Sequence, residues 1–302
     1  MQSNSRATLI GSVSVVLWGT LALLTSLTGG KIPPFQLMAM SFAIAFLLMC
    51  FNWWRKGSLG LKHLRQPAAA WLIGVGGYFL YHFCYFLAMS KAPAVEVSLL
   101  AYLWPLLIVL FSAMLPGESL LLRHLIGALL ALTGCWVLLG SGGASFNPSY
   151  LEGYLLAGAC ALIWSSYSVL SRLVKSVPTD AVGWFCALTA FLAFICHLLL
   201  ETWVTPSDWI AWVGVIGLGL GPVGFAFFTW DHGVKHGNIQ LLGTLAYGAP
   251  LISTLLLVAF GEGEASTALF TACALIISGS LLAGLKPRKT GVQQLKTEAE
   301  PS

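Results

Sequence analysis

The chain has 302 residues, of which 58% are hydrophobic and only 9% are charged. A soluble domain carries about 25% charged residues. This composition therefore excludes a soluble globular protein and indicates a protein whose main solvent is a lipid bilayer. The formal net charge is only +4, and no run of Lys and Arg residues suggests a nucleic-acid partner.

Ten apolar runs follow one another along the chain, each long enough to cross a hydrocarbon core about 30 Å thick as a helix. They cover residues 7–27, 35–53, 68–90, 95–115, 121–140, 153–174, 181–200, 209–230, 239–260 and 267–285. The first run is too long for the core of a signal peptide, so we expect it to remain as a membrane helix. Residues 286–302 are polar and predict a disordered tail. The sequence thus predicts an all-α polytopic membrane protein with ten transmembrane helices.

The positive charges are distributed unevenly between the two sides of these ten helices. If the N-terminus lies inside, the outside loops contain only Lys31 and Lys91, and all the other Lys and Arg residues, of 15 in the chain, fall on the inside. Cytoplasmic loops of membrane proteins carry this excess of positive charge. We therefore expect both termini to lie in the cytoplasm.

The two halves of the chain share a sequence pattern. The matching positions, which lie 145 or 146 residues apart, are Trp18 with Trp164, Ala101 with Ala246, Tyr102 with Tyr247, Pro105 with Pro250, Glu118 with Glu264 and Gly134 with Gly279. Residues 1–140 and 141–285 would each hold five helices. Because five is an odd number, the second repeat must be inverted relative to the first, as in many secondary transporters.

A proline lies in the middle of the fourth predicted helix and another in the middle of the ninth. Proline cannot donate a backbone hydrogen bond, and its ring crowds the carbonyl group four residues earlier. For Pro105 and Pro250 those carbonyl groups belong to Ala101 and Ala246. We expect the freed carbonyls to face a cavity and the two prolines to act as hinges during transport.

Aromatic side chains with polar tips are concentrated on one face of the third predicted helix. Tyr78, His82 and Tyr85 are spaced three or four residues apart. The corresponding positions of the eighth helix hold Val223, Phe227 and Trp230. We expect a substrate cavity lined by seven side chains, Trp18, Tyr78, His82, Tyr85, Tyr102, Trp104 and Trp164. The alternative is that these residues belong to the aromatic belts at the membrane interfaces.

Few ionisable residues lie inside the predicted spans. His82 is the clearest, and it could be either a neutral histidine with a satisfied hydrogen bond or a proton carrier. Glu96 and Asp231 fall near predicted span ends, so no proton-coupling carboxylate is evident. Glu118 and Glu264 also lie at span ends, where we expect them to cap helices.

No metal or cofactor site is predicted. The seven cysteines all lie in apolar runs and show no C-x-x-C spacing, which favours small core residues over disulfides or metal ligands. Residues 219–224 match G-x-G-x-x-G, but they lie within a membrane span and not between a strand and a helix. His232 and His236 are four residues apart and lack further ligands.

Taken together, these features resemble the EamA-type drug/metabolite transporter superfamily over residues 7–285. The resemblance is carried by Leu17-Trp18-Gly19, by the glycine-rich third and eighth helices, by Pro105 and Pro250, by Gly117-Glu118 and Gly263-Glu264, and by Gly134 and Gly279. The second repeat departs from the pattern, because Trp164 is followed by Ser165 where the first repeat has glycine. The whole chain is most similar to the bacterial aromatic amino acid exporters of that superfamily.

The resemblance implies a carrier in the bacterial inner membrane, monomeric or weakly oligomeric, that exports aromatic amino acids and related metabolites by alternating access. An exporter of cationic drugs or other metabolites from the same superfamily is one alternative, since ring faces attract organic cations. An intramembrane enzyme or an assembly scaffold is the alternative from another class. The enzyme is not favoured, because only isolated candidates for a nucleophile, acid or base occur.

Overall fold

The computed structural model describes residues 2–141, 143–261 and 264–285, and all regular secondary structure within these ranges is helical. Ten of its helical spans are long and apolar enough to cross a membrane, which confirms the predicted polytopic architecture. In chain order, α1 to α10 cover Asn4–Leu27, Pro34–Arg55, Ala68–Lys91, Ala94–Ser112, Leu122–Gly140, Pro148–Leu173, Thr179–Leu200, Trp209–His236, Ile239–Ala259 and Thr267–Gly284. The predicted tail, residues 286–302, lies outside the described residues.

Four of these spans change their helical geometry along their length. In α1 the α-helical segments are Gln2–Gly19, which begins two residues before the apolar span, and Leu21–Leu27. The segments are Ala94–Ala101 and Trp104–Ser112 in α4, Trp209–Leu218 and Ala226–His236 in α8, and Ile239–Leu245 and Gly248–Ala259 in α9. In α8 the two segments are joined by a π-helical stretch, Gly219–Phe225. A short 3₁₀ turn opens α6 (Pro148–Tyr150) and α7 (Thr179–Ala181), and another, Leu61–Leu64, lies between α2 and α3.

The prolines of α4 and α9 lie just after the breaks. Pro105 is the second residue of Trp104–Ser112, and Pro250 is the third of Gly248–Ala259. The first turn of a helix tolerates proline, because its N–H groups have no partner within the helix. The expectation that Pro250 frees the carbonyl of Ala246 is wrong: this oxygen accepts a 3.1 Å hydrogen bond from the N–H of Ala249.

Helix α8 extends further than its sequence predicts. The apolar run ends at Trp230, but the helix continues to His236 and includes both Asp231 and Lys235. These two side chains pair across one helical turn, with Nζ 2.8 Å from Oδ1. Because each charge neutralises the other, the helix continues into the polar part of the sequence.

The helices pack as two intertwined groups. In the first helix group, α6 packs on α3 and α4, and in the second helix group, α1 packs on α8 and α9. The helix pairs α2–α7 and α5–α10 complete the bundle. Each group thus combines two helices from one half of the chain with the first helix of the other half.

Small residues allow the tightest helix contacts. A Cβ atom added to Gly11 of α1 would lie 2.9 Å from the Cα of Gly233 in α8. A Cβ atom added to Gly279 of α10 would be even closer to the carbonyl oxygen of Gly127 in α5. Van der Waals contacts of this kind stabilise the association of helices in lipid, because the hydrophobic effect contributes little there.

The two ends of the bundle carry different polar groups. At one end, where α2, α4, α6 and α8 finish, lie Lys56, Glu118, Arg172 and Lys235; we call it the Arg172 end. At the opposite end lie Glu96 and the ion pair of Lys91 with Glu152; we call it the Glu96 end.

Candidate functional site

Six large rings meet where the two helix groups face each other, about halfway along the bundle. This aromatic cluster consists of Trp18 from α1, Tyr78 from α3, Trp104 from α4, Trp164 from α6, and Phe227 and Trp230 from α8. Four of the six are members of the set that the sequence predicts. Rings at these separations attract one another through edge-to-face and offset contacts.

Trp18 lies at the centre of the aromatic cluster. Its ring centroid is 6.0 Å from that of Trp104, 5.7 Å from that of Trp164 and 5.0 Å from that of Trp230. Its indole N–H donates a 3.0 Å hydrogen bond to the carbonyl oxygen of Pro222. Pro222 lies in the π-helical stretch of α8, and π-helical turns often occur at functional sites. This irregular turn therefore fixes the orientation of the central ring.

Tyr78 forms part of the wall of the cluster and has no exposed surface. Its ring stacks on that of Phe227, with centroids 4.6 Å apart. Its hydroxyl group lies 2.7 Å from the hydroxyl of Tyr167. This bond joins α3 to α6, so Tyr78 couples the two helices as well as contributing a ring.

His82 and Tyr85 lie further toward the Glu96 end and are half-buried. The Nδ1–H group of His82 donates a 2.7 Å hydrogen bond to the carbonyl oxygen of Tyr78. The neutral ring then presents Nε2 as an acceptor. Tyr85 reaches the cluster through Tyr81, because the Tyr81 ring stacks on Tyr85 at 6.1 Å and contacts Trp164 at 5.3 Å.

Tyr102 differs from the other six predicted residues, which belong to the aromatic cluster, contact it or, like Tyr85, reach it through another ring. Within the described residues it makes no ring contact with the aromatic cluster, and it packs instead beside Tyr247 and Leu251, with residues of α5, α9 and α10. The reason is local, since Tyr102 follows directly on Ala101, where the first segment of α4 ends. The interruption changes the direction in which the next side chain points, so regular helical spacing does not place it.

Two members of the cluster, Phe227 and Trp230, are absent from the predicted set. They correspond to His82 and Tyr85 in the repeat pattern. That correspondence is the signal that could have found them, because a site between two repeats takes side chains from both. Trp230 also donates its indole N–H to the hydroxyl of Ser168 at 3.0 Å, which links the two helix groups.

A polar network closes the Arg172 end beneath the cluster. The guanidinium of Arg172 in α6 donates to the carbonyl oxygens of Val234 at 2.9 Å and Gly237 at 2.7 Å, and pairs with the carboxylate of Glu118. The other oxygen of Glu118 accepts from the side-chain amide of Gln240 at 3.1 Å. The expectation that Glu118 caps a helix is therefore wrong, because its carboxylate bonds these two side chains.

The bonds between the two helix groups are concentrated on one side of the aromatic cluster. Among the described residues, every side-chain hydrogen bond between the groups lies at mid-depth or toward the Arg172 end. The mid-depth bond joins the N–H of Leu106 to the hydroxyl of Tyr247 at 3.1 Å; the others are those of Trp230, Arg172 and Glu118. Toward the Glu96 end, Glu96 instead accepts from the N–H of Ser145 in the α5–α6 connection at 2.9 Å. The two groups are thus joined at the Arg172 end.

Comparison with known proteins places the whole chain among membrane transporters. The EamA-like transporter family matches residues 5–140 and 151–285. The chain is 52% identical to the aromatic amino acid exporter YddG of Ancylobacter novellus, over 95% of this chain and 100% of that protein. It is 29% identical to YddG of Salmonella typhimurium, over 95% and 99% of the two chains.

A solved crystal structure has the same fold. It is 52% identical in sequence, and it superposes on 93% of this chain and 97% of its own with a TM-score of 0.90. The family pattern occurs twice, once in each half of the chain, and together the two copies cover nearly all of the ten spans. The chain belongs to the EamA-like transporter family.

Proposed function

We propose that this protein exports aromatic amino acids across the bacterial inner membrane, with related amphipathic metabolites as weaker substrates. Two relatives that match along nearly their whole length bear the name aromatic amino acid exporter. The observation that carries the proposal is the aromatic cluster between the two helix groups. An aromatic side chain can stack there, and each good ring pair contributes about 0.5–1.5 kcal/mol beyond the burial of its area.

The seven predicted residues keep their proposed role in binding substrate, with different tasks. Trp18, Trp104 and Trp164 offer ring faces, and Tyr78 supports them from the wall. His82, with Nε2 as an acceptor, offers a hydrogen bond to the substrate from the Glu96 side of the cluster. Tyr85 contributes from the Glu96 side of the cluster, and Tyr102 contributes from outside the cluster, beside Tyr247.

The transport cycle is alternating access between two inverted repeats. Support for the inversion comes from the packing, because each helix group combines two helices of one repeat with the first helix of the other. With both termini in the cytoplasm, the Arg172 end is cytoplasmic, and the hydrogen bonds between the two helix groups close the protein on that side. Pro105 and Pro250 are the hinges, since each lies one turn or less beyond the break in its helix.

Counterflow in proteoliposomes tests the function. The purified full-length protein should exchange labelled phenylalanine, and unlabelled tryptophan and tyrosine should compete strongly, whereas lysine should not. Trp164→Ala should reduce exchange about tenfold or more, because it removes ring contacts at the centre of the site. Trp54→Ala is the matched control, since this ring is 70% exposed near the end of α2. Competition by lysine but not by tryptophan would contradict the substrate.

A further inference from the structure

The ion pair of Asp231 and Lys235 is the most buried pairing of a lysine or arginine with a carboxylate in the described part of the chain. Lys235 Nζ lies 2.8 Å from Oδ1 and 2.9 Å from Oδ2 of Asp231, and the two side chains are 2% and 3% exposed. The pair of Arg172 with Glu118, at the same end of the bundle, is 18% and 20% exposed.

Burial makes this pair an unexpected choice for stability alone. Removing two charges from water has a desolvation penalty, and the attraction between the charges often only balances it. Well-packed apolar residues of similar volume frequently give the folded protein the same stability. Charged groups inside a membrane protein more often belong to the path of a substrate or an ion. The position of the pair in the fold therefore matters.

Along α8, the pair continues directly from the aromatic cluster toward the Arg172 end. Asp231 follows Trp230, whose ring contacts Trp18 at 5.0 Å and Trp104 at 5.7 Å. A polar head and an aromatic site are thus adjacent, which is the arrangement of groups within an aromatic amino acid.

We infer that Asp231 and Lys235 form the subsite for the charged head of an α-amino acid zwitterion, reached when the Arg172 end opens. The ammonium group of the substrate takes the place of Lys235 on the carboxylate of Asp231. The carboxylate of the substrate takes the place of Asp231 on the ammonium of Lys235. The inference rests on the proposed function and names which part of the site recognises the backbone of the amino acid.

Such an exchangeable pair solves two problems of a carrier. When the site is empty, the two side chains neutralise each other, so no buried charge is left alone. When the Arg172 end closes again, the internal pair reforms and displaces the head of the substrate, which favours release on the other side. Tight binding is avoided, because the ion pairs that form replace ion pairs that break.

The same exchange gives selectivity. An aromatic amine without a carboxylate would pair with Asp231 and leave Lys235 as an isolated buried charge. An aromatic acid without an amine would pair with Lys235 and isolate Asp231. A site built to pair both charges rejects ligands that satisfy only one, because the remaining buried group has no partner.

A purely structural role predicts a different outcome. Asp231 Oδ2 also accepts from the hydroxyl of Thr179 at 2.7 Å, and Lys235 donates to the carbonyl oxygen of Val177 at 3.0 Å. The pair could therefore serve only to tie α8 to the connection between α6 and α7. In that case, its removal would lower stability or rate, and it would leave the ranking of ligands unchanged.

The experiment measures competition for labelled phenylalanine in counterflow, using three unlabelled ligands: phenylalanine, phenethylamine and 3-phenylpropionate. In the wild type, the zwitterion should compete about tenfold or more better than either single-charge ligand. Lys235→Gln should shift the preference toward the amine, and Asp231→Asn should shift it toward the acid. The double variant Asp231→Asn with Lys235→Gln leaves no lone buried charge and should discriminate least.

The control is the double variant Lys91→Gln with Glu152→Gln, which neutralises an exposed ion pair at the Glu96 end and should keep the ranking of the wild type. Opposite shifts in the two single variants would establish the subsite, because a structural tie has no reason to produce them. An unchanged ranking in the folded double variant Asp231→Asn with Lys235→Gln would overturn it. Failure of the wild type to exchange phenylalanine would instead overturn the proposed function, and the subsite with it.

Discussion

Each residue of the aromatic cluster is held by a polar contact or by its neighbours, and this determines what it can do. Trp18 donates its indole N–H to the carbonyl oxygen of Pro222, and Trp230 donates its own to the hydroxyl of Ser168. The orientations of both rings are therefore set before substrate arrives. The hydroxyl groups of Tyr78 and Tyr167 form a hydrogen bond with each other. Buried polar atoms that are paired in this way stabilise one arrangement of the rings, since breaking the pair leaves an unsatisfied group.

Tyr167→Phe tests this pairing. Tyr78 has no exposed surface, and its hydroxyl would lose its partner at 2.7 Å, so we expect a loss of about 1–3 kcal/mol in the free energy of unfolding. The double variant Tyr78→Phe with Tyr167→Phe removes both hydroxyls and should be more stable than Tyr167→Phe. Unfolding of the detergent-solubilised protein measures both. Equal stability of the wild type and Tyr167→Phe would show that the bond contributes nothing.

At this scale, helical spacing can predict the direction of a side chain where the helix is regular, but not where the helix is interrupted. Tyr78 and His82 lie on a continuous stretch of α3, and the structure places them on the predicted face. Tyr102 lies at a helix break, so its direction could not be derived from helical periodicity. Trp230 could have been predicted from the repeat, because it corresponds to Tyr85, but its apolar ring carries no polar group that indicates a binding site.

The helices combine rigid packing with interruptions at matched places. All ten spans could be predicted from hydropathy, because a bilayer sets both their length and their composition. Hydropathy could not predict the π-helical stretch Gly219–Phe225 or the end of α8, since both depend on contacts made after folding. The breaks of α4 and α9 occur just before Pro105 and Pro250.

Replacing the prolines tests whether these breaks move. In Pro250→Ala, residue 250 gains an N–H that can bond to the carbonyl of Ala246, which extends the helix across the break. We expect Pro105→Ala and Pro250→Ala to slow exchange of phenylalanine severalfold while lowering expression much less. Initial rates, normalised to the amount of reconstituted protein, measure this. Unchanged rates in both variants would reduce the prolines to packing residues.

The Arg172 network makes a prediction about the closed end of the bundle. Arg172→Gln removes the charge that bonds Val234, Gly237 and Glu118 at once, so the two helix groups should separate there more often. A cysteine introduced at Val234, which is fully buried, should then react with a thiol reagent several times faster in a background without native cysteines. Lys91→Gln, at the opposite end, is the control and should not change this rate. Equal reactivity with and without Arg172 would show that other contacts close this end.

In the whole molecule, the two helix groups are packed in the same way but carry different polar side chains. Repeat matches predicted the scaffold, and the family pattern occurs in both halves of the chain. They did not predict that helices would be exchanged between the two groups, because sequence identity between positions does not determine which helices pack together. The asymmetry is clearest at the ends: Glu118 pairs with Arg172 and Gln240, whereas its counterpart Glu264 is exposed.

The orientation of the molecule in the membrane decides which end takes up substrate. On one side of the membrane the connections contain only two Lys or Arg residues, Lys31 and Lys91. The other side, with both termini, carries the remaining Lys and Arg residues and is therefore predicted to be cytoplasmic. A cysteine introduced at Ser58, in the α2–α3 connection of a variant without native cysteines, should resist an impermeant thiol reagent applied to intact cells. A cysteine introduced at Ser207, in the α7–α8 connection, should react. The two sites lie at opposite ends of the bundle, so they serve as controls for each other. Reaction at Ser58 with protection at Ser207 would invert the topology, and the Arg172 end would then face outward, where an exporter should release its substrate and not receive it.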